Sequence, residues 1–442
     1  MKTYKKLKFV ELRELGFWDT KRYLNISDKK FKNNITLSDV LIPYKKKISK
    51  REMIEKKYAI ISKINFGGEL FLRDLNNIEN YKGDIYLVPD NSIIYSKINV
   101  KHGCIFYNDK GNTPFGVSSE YPIFTFDNTI VSGKFLQKLL RTQEFKKLLD
   151  TKATGISKAR VKQADFLATR VPLPPLSEQE TIVKNYYDKI TQATTYEQQA
   201  ETLEKNIENY LFESLGIEEL DKRKKIGLNI IESKRMERWD IPFLMGESSL
   251  KSKYSIHRMG EYIVEIATGT TPPTSRKEYF RGDINFYTPS DINNKILLNA
   301  DRKVSLLAVK DKKVRVFKKN TLLFVGIGST VGKVGIIGNE FATSNQQITG
   351  FNVDENMLLT EYVYYYFTYF KNVTTKEQTK ATLPIVNQEK IMNILIPIPP
   401  KETQQAIIKQ IDTYKNEIKI LRERATLLKQ QAEQEFEQTI FS

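Results

Sequence analysis

The side chains that carry nucleophilic or soft-metal chemistry near neutral pH are scarce in this 442-residue sequence: two histidines, His102 and His257, and one cysteine, Cys104. A serine- or cysteine-nucleophile site needs a histidine beside it, and neither histidine lies in a nucleophile motif. A single cysteine excludes an intrachain disulfide framework and a cysteine-cluster metal site. The stretch from Val325 to Val334 is glycine-rich and invites comparison with a phosphate loop. Its spacing fails the test, since a P-loop has four residues between its glycines and Ser or Thr directly after the Lys. Here five residues separate Gly326 from Gly332, and Val334 follows Lys333. A dinucleotide fingerprint fails too, because Gly332 comes one position too late after Gly326 and Gly328. The corresponding first-half stretch, Lys97–Gly103, keeps one glycine, so a turn between strands accounts for both. Asp291-Ile292-Asn293-Asn294-Lys295 lacks a second carboxylate at metal-ligand spacing and reads as a solvated turn. No Asn/Asp-Pro-Pro-aromatic motif for amino-methylation of a flipped base occurs. The sequence predicts no catalytic residue, no metal ligand and no cofactor bound by this chain.

What it does hold is side chains suited to phosphates and base edges. Thr270, Thr271, Ser275, Arg276, Lys277 and Tyr279 lie in one polar, basic loop, and Asn345, Gln346 and Gln347 offer amides of the kind that bond adenine at two points. Thr330 and Lys333 sit in the glycine-rich turn. In the first half Ser96, Lys97, Lys101, Ser118 and Ser119 are the comparable candidates. Each alone is ordinary loop composition; together, on two basic blocks, they point to double-stranded DNA.

The elements that must position them come in two copies. The only two tryptophans open Trp18-Asp19 and Trp239-Asp240; Thr151-Lys152-Ala153-Thr154 returns as Thr379-Lys380-Ala381-Thr382, and Pro172-Leu173-Pro174-Pro175 as Pro397-Ile398-Pro399-Pro400. The offsets are 221, 228 and 225 residues, close to half the chain. After each proline signature comes a long segment without Gly or Pro, apolar at steps of three and four. Ile182, Tyr186, Tyr196, Leu203, Ile207 and Leu211 mark one stripe; Ile407, Ile411, Ile418, Leu421, Leu428 and Phe436 mark the other, with register kept at offset 225 except at Lys189. Such stripes predict two long helices packed on each other as a coiled coil and offering a docking surface to partners. Ser177 and Glu180 have the capping-box spacing that starts the first helix.

The blocks before these helices are rich in Ile, Val, Tyr and Phe punctuated by Gly, Asn and Asp, which predicts short strands and turns with a few helices. Asp84–Val88, Ser92–Tyr95, Thr321–Val325 and Lys333–Ile337 are strand candidates. Asn91–Tyr95 pairs with Asn320–Phe324, and Gly103 with Gly332, at an offset of 229. Shared framework and diverged turn chemistry are expected. The predicted divisions are 1–175, a helix over 176–216, a linker over 217–235 around Asp221–Lys225, a second block over 236–400, and a helix over 401–442.

The formal charge is +17. Residues 176–215 hold three Lys against eight acids, and residues 401–442 are balanced at seven and seven, which leaves an excess of 22 positive charges on the rest. A basic excess confined to two blocks is the footprint of a nucleic-acid binder. No run of about 18 apolar residues and no apolar signal core occurs, so a cytoplasmic, non-membrane protein is expected.

These landmarks resemble the specificity subunit of type I restriction-modification enzymes. The resemblance rests on Pro172-Leu173-Pro174-Pro175-Leu176-Ser177-Glu178-Gln179 and Ile396-Pro397-Ile398-Pro399-Pro400 running into the helices. It rests also on Gly269-Thr270-Thr271-Pro272, Glu278–Ile284, Asp291-Ile292 and Ser344–Ile348. The second copy departs from the Leu-Ser-Glu-Gln form, having Lys401-Glu402-Thr403-Gln404, which puts its helix cap in question. The resemblance implies an α+β chain of two pseudo-repeated mixed α/β target-recognition domains, separated by two long antiparallel coiled-coil helices acting as a ruler. Each domain would read one half of a bipartite, asymmetric site. It further implies two methyltransferase subunits that bind S-adenosylmethionine and methylate adenine, and restriction subunits that use ATP and Mg for translocation and cleavage, none of these cofactors being held by this chain. Helices of about 38 residues, at 1.5 Å each, limit the half-site separation to roughly 17 base pairs at about 3.4 Å per pair. The alternatives are the targeting subunit of another bipartite system with a fused methyltransferase-nuclease, an autonomous DNA-modifying enzyme, and a structural coiled-coil protein.

Overall fold

The computed structural model describes residues 34–73, 78, 81–153, 160–217, 251–371 and 385–441. Trp18, Trp239, the Thr379–Thr382 echo and the Asp221–Lys225 linker lie outside the described residues. The chain divides into two compact units, residues 1–197 with 422–442, and residues 198–421. That division cuts across both long helices, so each unit joins one strand-rich block to one segment of each helix.

In the first unit the strands are β1 (Asn34–Thr36), β2 (Ile42–Tyr44), β3 (Ile60–Ile64), β4 (Leu70–Arg73), β5 (Tyr86–Val88), β6 (Ser92–Tyr95), β7 (Ile105–Asn108), β8 (Phe115–Val117), β9 (Ile123–Thr125) and β10 (Arg170–Pro172). They form a ribbon β1-β10 and two sheets ordered β2-β9-β6-β7 and β4-β3-β8-β5. The helices are α1 (Lys50–Glu55), α2 (Gly133–Leu139), α3 (Gln143–Lys152), α4 (Gln163–Leu167) and the first part of α5 (Leu176–Leu215). In the second unit the strands are β11 (Ile256–Arg258), β12 (Ile263–Thr268), β13 (Ile284–Tyr287), β14 (Ile296–Leu297), β15 (Arg302–Val304), β16 (Val316–Lys318), β17 (Leu322–Val325), β18 (Val334–Ile337), β19 (Phe341–Ser344), β20 (Ile348–Val353) and β21 (Leu395–Pro397). Their orders are β11-β21, β12-β20-β17-β18-β14 and β15-β13-β19-β16. The helices are α6 (Leu306–Lys310), α7 (Thr360–Tyr369), α8 (Gln388–Met392) and the first part of α9 (Lys401–Phe441).

Strand for strand the two units are the same design. β3 runs parallel to β8 as β13 does to β19, and the other shared neighbours are antiparallel in both. Only β14, which adds to β18, has no counterpart. Three left-handed backbone positions coincide at the offset of 229: Asn91 with Asn320, Asn99 with Gly328, and Gly103 with Gly332. Asn and Gly tolerate that region best. The turns therefore keep left-handed positions at matching places while the residues between them differ, and this shared backbone requirement accounts for Gly328 and Gly332 in the glycine-rich stretch.

Both long helices begin directly after a proline. The amides of Glu178 and Gln179 donate to the Pro175 carbonyl, and those of Thr403 and Gln404 to the Pro400 carbonyl. Ser177 thus lies inside the first turn, and Pro175 takes the position the capping-box reading gave to Ser177. Along the stripes, Ile182, Ala193, Ala200, Ile207, Leu211 and Leu215 are buried, and so are their counterparts Ile407, Ile418, Ala425, Ala432, Phe436 and Ile440. The first-unit core gathers Tyr95, Phe124, Phe135, Phe145 and Phe166 against Ile182 and Val183 of α5 and Phe436 and Ile440 of α9. In the second unit α7 presents Tyr362 and Tyr366, whose hydroxyls donate to the carbonyls of Pro397 (2.9 Å) and Leu395 (2.8 Å), fixing β21.

Candidate nucleic-acid interface

In the second unit four connections converge. The loop after β12 begins at Gly269, where a Cβ would meet Ser344 Oγ at 2.2 Å, so only glycine lets this strand end pass the β19–β20 turn. Thr270 Oγ1 accepts from the Arg315 amide at 2.8 Å, and Thr271 Oγ1 donates to the Gln346 side-chain carbonyl. The Gly326 amide donates to the Gln347 carbonyl at 2.8 Å. One face therefore holds the Gly269–Lys277 loop, the β17–β18 turn, the β19–β20 turn and the segment before β16. Thr270, Thr271, Ser275, Arg276, Lys277 and Gln346 are exposed on it, and Thr330, Lys333, Asn345 and Gln347 are half-buried. Exposed Lys313 and Arg315 join this face, although sequence reasoning had no signal for them: they stand more than 40 residues from Thr270, and only strand pairing brings them there.

Two expected contacts are corrected. Tyr279 is only 2% exposed; its hydroxyl donates to Asp311 Oδ2 at 2.9 Å and its ring lies beneath the Arg276 guanidinium. It anchors the loop and cannot meet a base. Asn345 spends its side chain within the turn, Nδ2 donating to Gln347 Oε1 at 2.9 Å and Oδ1 accepting from the Gln347 amide at 3.1 Å. Of that trio only Gln346 is exposed, its Oε1 already accepting from Thr271. Lys333 Nζ reaches Asn293 Oδ1 at 3.2 Å, which ties the glycine-rich turn to the Asp291–Lys295 segment.

In the first unit the β6–β7 and β8–β9 connections, topological counterparts of β17–β18 and β19–β20, also meet. The Lys97 amide donates to the Glu120 carbonyl, and Lys97 Nζ to the Ser119 carbonyl at 2.7 Å. Lys101 pairs with Asp150 of α3 at 2.8 Å. Ser96 and Ser118 are half-buried beside them and Ser119 is exposed. All five predicted residues are together, with both lysines held in place by partners.

The helix stripes carry a different chemistry. In the first unit Tyr186 packs on Phe436, Lys189 pairs with Glu435 at 2.7 Å and Lys429 with Glu197 at 2.8 Å. The helix segments run antiparallel there, and Lys189, the exception to the apolar register, is accounted for by its ion pair. Lys138 of α2 bonds Glu433 and Tyr186; burial pushes its ammonium pKa down while Glu433 pulls it back up. In the second unit Tyr210 meets Tyr414. Lys295 reaches Asp412 at 3.0 Å and Glu361 at 2.7 Å, and Tyr365 donates to Asp412. Burial, then the Asp412 carboxylate, drives the Tyr365 hydroxyl far above its ordinary range. Ile182, Ile207, Leu211, Ile407, Ile411, Ile418, Leu421 and Phe436 are buried, whereas Tyr186, Tyr196, Leu203 and Leu428 are partly exposed. The first group serves packing within the chain, and the second keeps part of its surface accessible. Among the described residues no helix is long and apolar enough to cross a membrane, and no group of three or more His, Cys, Asp or Glu is placed to hold a metal.

The second unit is thus a two-sheet module with convergent polar loops, joined to a long helix through the proline-ended ribbon β11-β21. Residues 254–430 match the family described as type I restriction modification DNA specificity domain. Two relatives from Methanocaldococcus jannaschii are similar. The type I restriction enzyme MjaIX specificity subunit is 33% identical over 153 residues, covering 33% of this chain and 34% of the relative. The putative type I restriction enzyme MjaX specificity subunit is 22% identical over 269 residues, covering 61% and 57%. The chain thus spans well under two thirds of either relative. The fold is similar across 92% of this chain to a solved chain, covered to 98%, from work on assembly and conformational transition of the type I R-M system, with TM-score 0.61 and 16% identity.

Proposed function

We propose that the chain is the DNA sequence-recognition subunit of a type I restriction-modification complex. It binds a bipartite, asymmetric target and directs adenine methyltransferase and restriction subunits to it. The observation that carries this is the repeat: the family domain at 254–430 has a strand-for-strand counterpart in the first unit, and both gather polar, basic connections at matching places. Two readers with different side chains, Gln346 and Arg276 in one and Lys97 and Ser119 in the other, suit two different half-sites.

Recognition by this chain and catalysis by its partners divide the work. S-adenosylmethionine, ATP and Mg belong on the methyltransferase and restriction subunits, in the cytoplasm, and the partly exposed helix positions Tyr186, Tyr196, Leu203 and Leu428 are docking contacts for the methyltransferases. The test is to map methylated adenines in host DNA with and without this gene, and to assay the purified chain alone for methyl transfer and cleavage. A bipartite methylated motif that vanishes with the gene, and an inert isolated chain, support the reading. Methylation or cleavage by the chain alone overturns it.

A further inference from the structure

The hairpin β3–β4 of the first unit ends in a tip that holds an aromatic ring in solvent. The Asn65 amide donates to the Glu69 carbonyl and the Gly68 amide to the Asn65 carbonyl, while the Asn65 side chain bonds both the Glu69 amide (2.8 Å) and its carboxylate (2.7 Å). Gly68 is left-handed, with φ at 75°. From below, the Arg141 guanidinium donates to the Gly67 carbonyl and fills the space a Gly68 Cβ would need, 2.4 Å from Cζ. On this fixed turn Phe66 is 61% exposed, its ring 5.0 Å from that of exposed His102. A lone exposed apolar residue is ordinary. Phe66 differs because the backbone beneath it is locked, and because its support, His102, belongs to the β6–β7 connection that also carries Lys97 and Lys101. Lys146 packs against Gly103 of the same connection, and the one acid of the tip, Glu69, is engaged by Asn65. The surroundings suit a polyanion.

Resting on the DNA-recognition reading, we propose that Phe66, backed by His102, is an apolar wedge that enters a base step of the half-site read by the first unit. Apolar side chains inserted between bases unstack the step and kink the duplex, and pyrimidine–purine steps yield most readily. The wedge adds selectivity by deformability in one half-site only. In the second unit the chain after β13 runs into a capped polar turn, where Asp291 accepts from the Thr288 amide and hydroxyl, and then into β14.

The test uses the full-length chain, alone and with its partner subunits, on duplexes carrying the mapped site with 2-aminopurine at successive positions. With the native chain one position in one half-site brightens as its stack opens. Phe66→Ala abolishes the brightening and weakens binding about tenfold, the scale of one lost aromatic–base stack; Phe66→Trp preserves both. Alanine at so exposed a site leaves the fold intact, which thermal melting checks. No brightening at any position, or Phe66→Ala binding within about twofold of native, where the scale of one stack predicts about tenfold, overturns the wedge while leaving DNA recognition standing. Loss of partner-subunit association at unchanged DNA affinity also overturns it, and assigns the tip to a protein interface. If the native chain does not prefer the mapped duplex over a random one, DNA recognition itself falls, and the wedge with it.

Discussion

Gln179 and Gln404, 225 residues apart, make the same three hydrogen bonds in their own units. Gln179 Oε1 accepts from the Ser132 amide at 2.9 Å, and its Nε2 donates to the carbonyls of Ile130 (3.1 Å) and Pro174 (2.8 Å). Gln404 Oε1 accepts from the Leu359 amide at 2.8 Å, and its Nε2 donates to the carbonyls of Met357 and Pro399, both at 2.9 Å. Both side chains are fully buried. Each locks the start of a long helix to the chain entering α2 or α7 and to the proline signature. The departure of Lys401-Glu402-Thr403-Gln404 from Leu-Ser-Glu-Gln is therefore immaterial: the glutamine is what both copies keep. Replacing either by Leu removes the partner of one amide and two carbonyls, at about 1–3 kcal/mol for a group left unsatisfied away from water and less for one that water reaches, as at the exposed residues Ile130 and Met357. Gln179→Leu should destabilise the first unit and Gln404→Leu the second, each by about 2–4 kcal/mol, read as separate transitions in denaturant unfolding.

The repeat, the helix stripes and four strands were legible because period and spacing are local properties. Ser92–Tyr95 was placed to the residue, and the offset of 229 between Asn91 and Asn320 recurs in the backbone angles. The polar face of the second unit was only half legible. Loop composition picked out Gln346 and Arg276, yet it could not tell that Asn345 is consumed inside its turn or that Tyr279 is core, because both depend on hydrogen bonds formed after folding. Lys313 and Arg315 were invisible for the same reason: sheet pairing, not sequence distance, makes them neighbours of Thr270.

Substitutions on the two faces should separate by half-site. Gln346→Ala and Arg276→Ala are expected to alter one half of the methylated motif, and Lys97→Ala and Ser119→Ala the other, each base contact being worth about 1–3 kcal/mol. Selection of bound sequences from a random pool measures this. A change of preference in both halves from a single substitution counts against two independent readers. Tyr279→Phe, by contrast, should leave base preference intact and lower stability through loss of the Asp311 bond.

The aromatic helix α7 sets an alkaline limit on the second unit. Burial is the first cause raising the hydroxyls of Tyr362, Tyr364, Tyr365, Tyr366 and Tyr369 above their ordinary value of 10.0. In the unfolded chain these phenols ionise near pH 10; in the folded unit they stay protonated. Their contribution is thus fully present below pH 10 and is lost as the pH climbs toward the raised folded values. Stability should fall steeply above pH 10, with phenolate absorbance appearing together with unfolding. Phenolate formation in a still-folded second unit would show these rings to be open to solvent.

Binding should weaken strongly with salt, because the 22 excess positive charges lie outside the helix segments. Each phosphate neutralised contributes a slope of about −0.9 in log affinity against log salt, so several contacts spread over two faces give a total of several units. Lys313→Ala or Arg315→Ala should reduce the slope by about one each if both side chains sit on phosphates. A flat affinity between low and moderate salt would remove DNA as the partner.

The length of the long helices should set the gap between half-sites. The ion pairs Lys189–Glu435 and Glu197–Lys429 bracket buried Ala193 on α5 and buried Ala432 on α9, which marks where a matched insertion keeps the seam in register. One heptad added to both helices there lengthens them by about 10 Å, equivalent to roughly three base pairs. A heptad added near Ala193 alone leaves the second helix unmatched and should cost stability. The double insertion should fold, keep both half-site sequences, and shift the preferred gap upward by about three base pairs in methylation mapping. An unchanged gap in a folded double-insertion variant would mean that the helices hold partners and do not measure DNA.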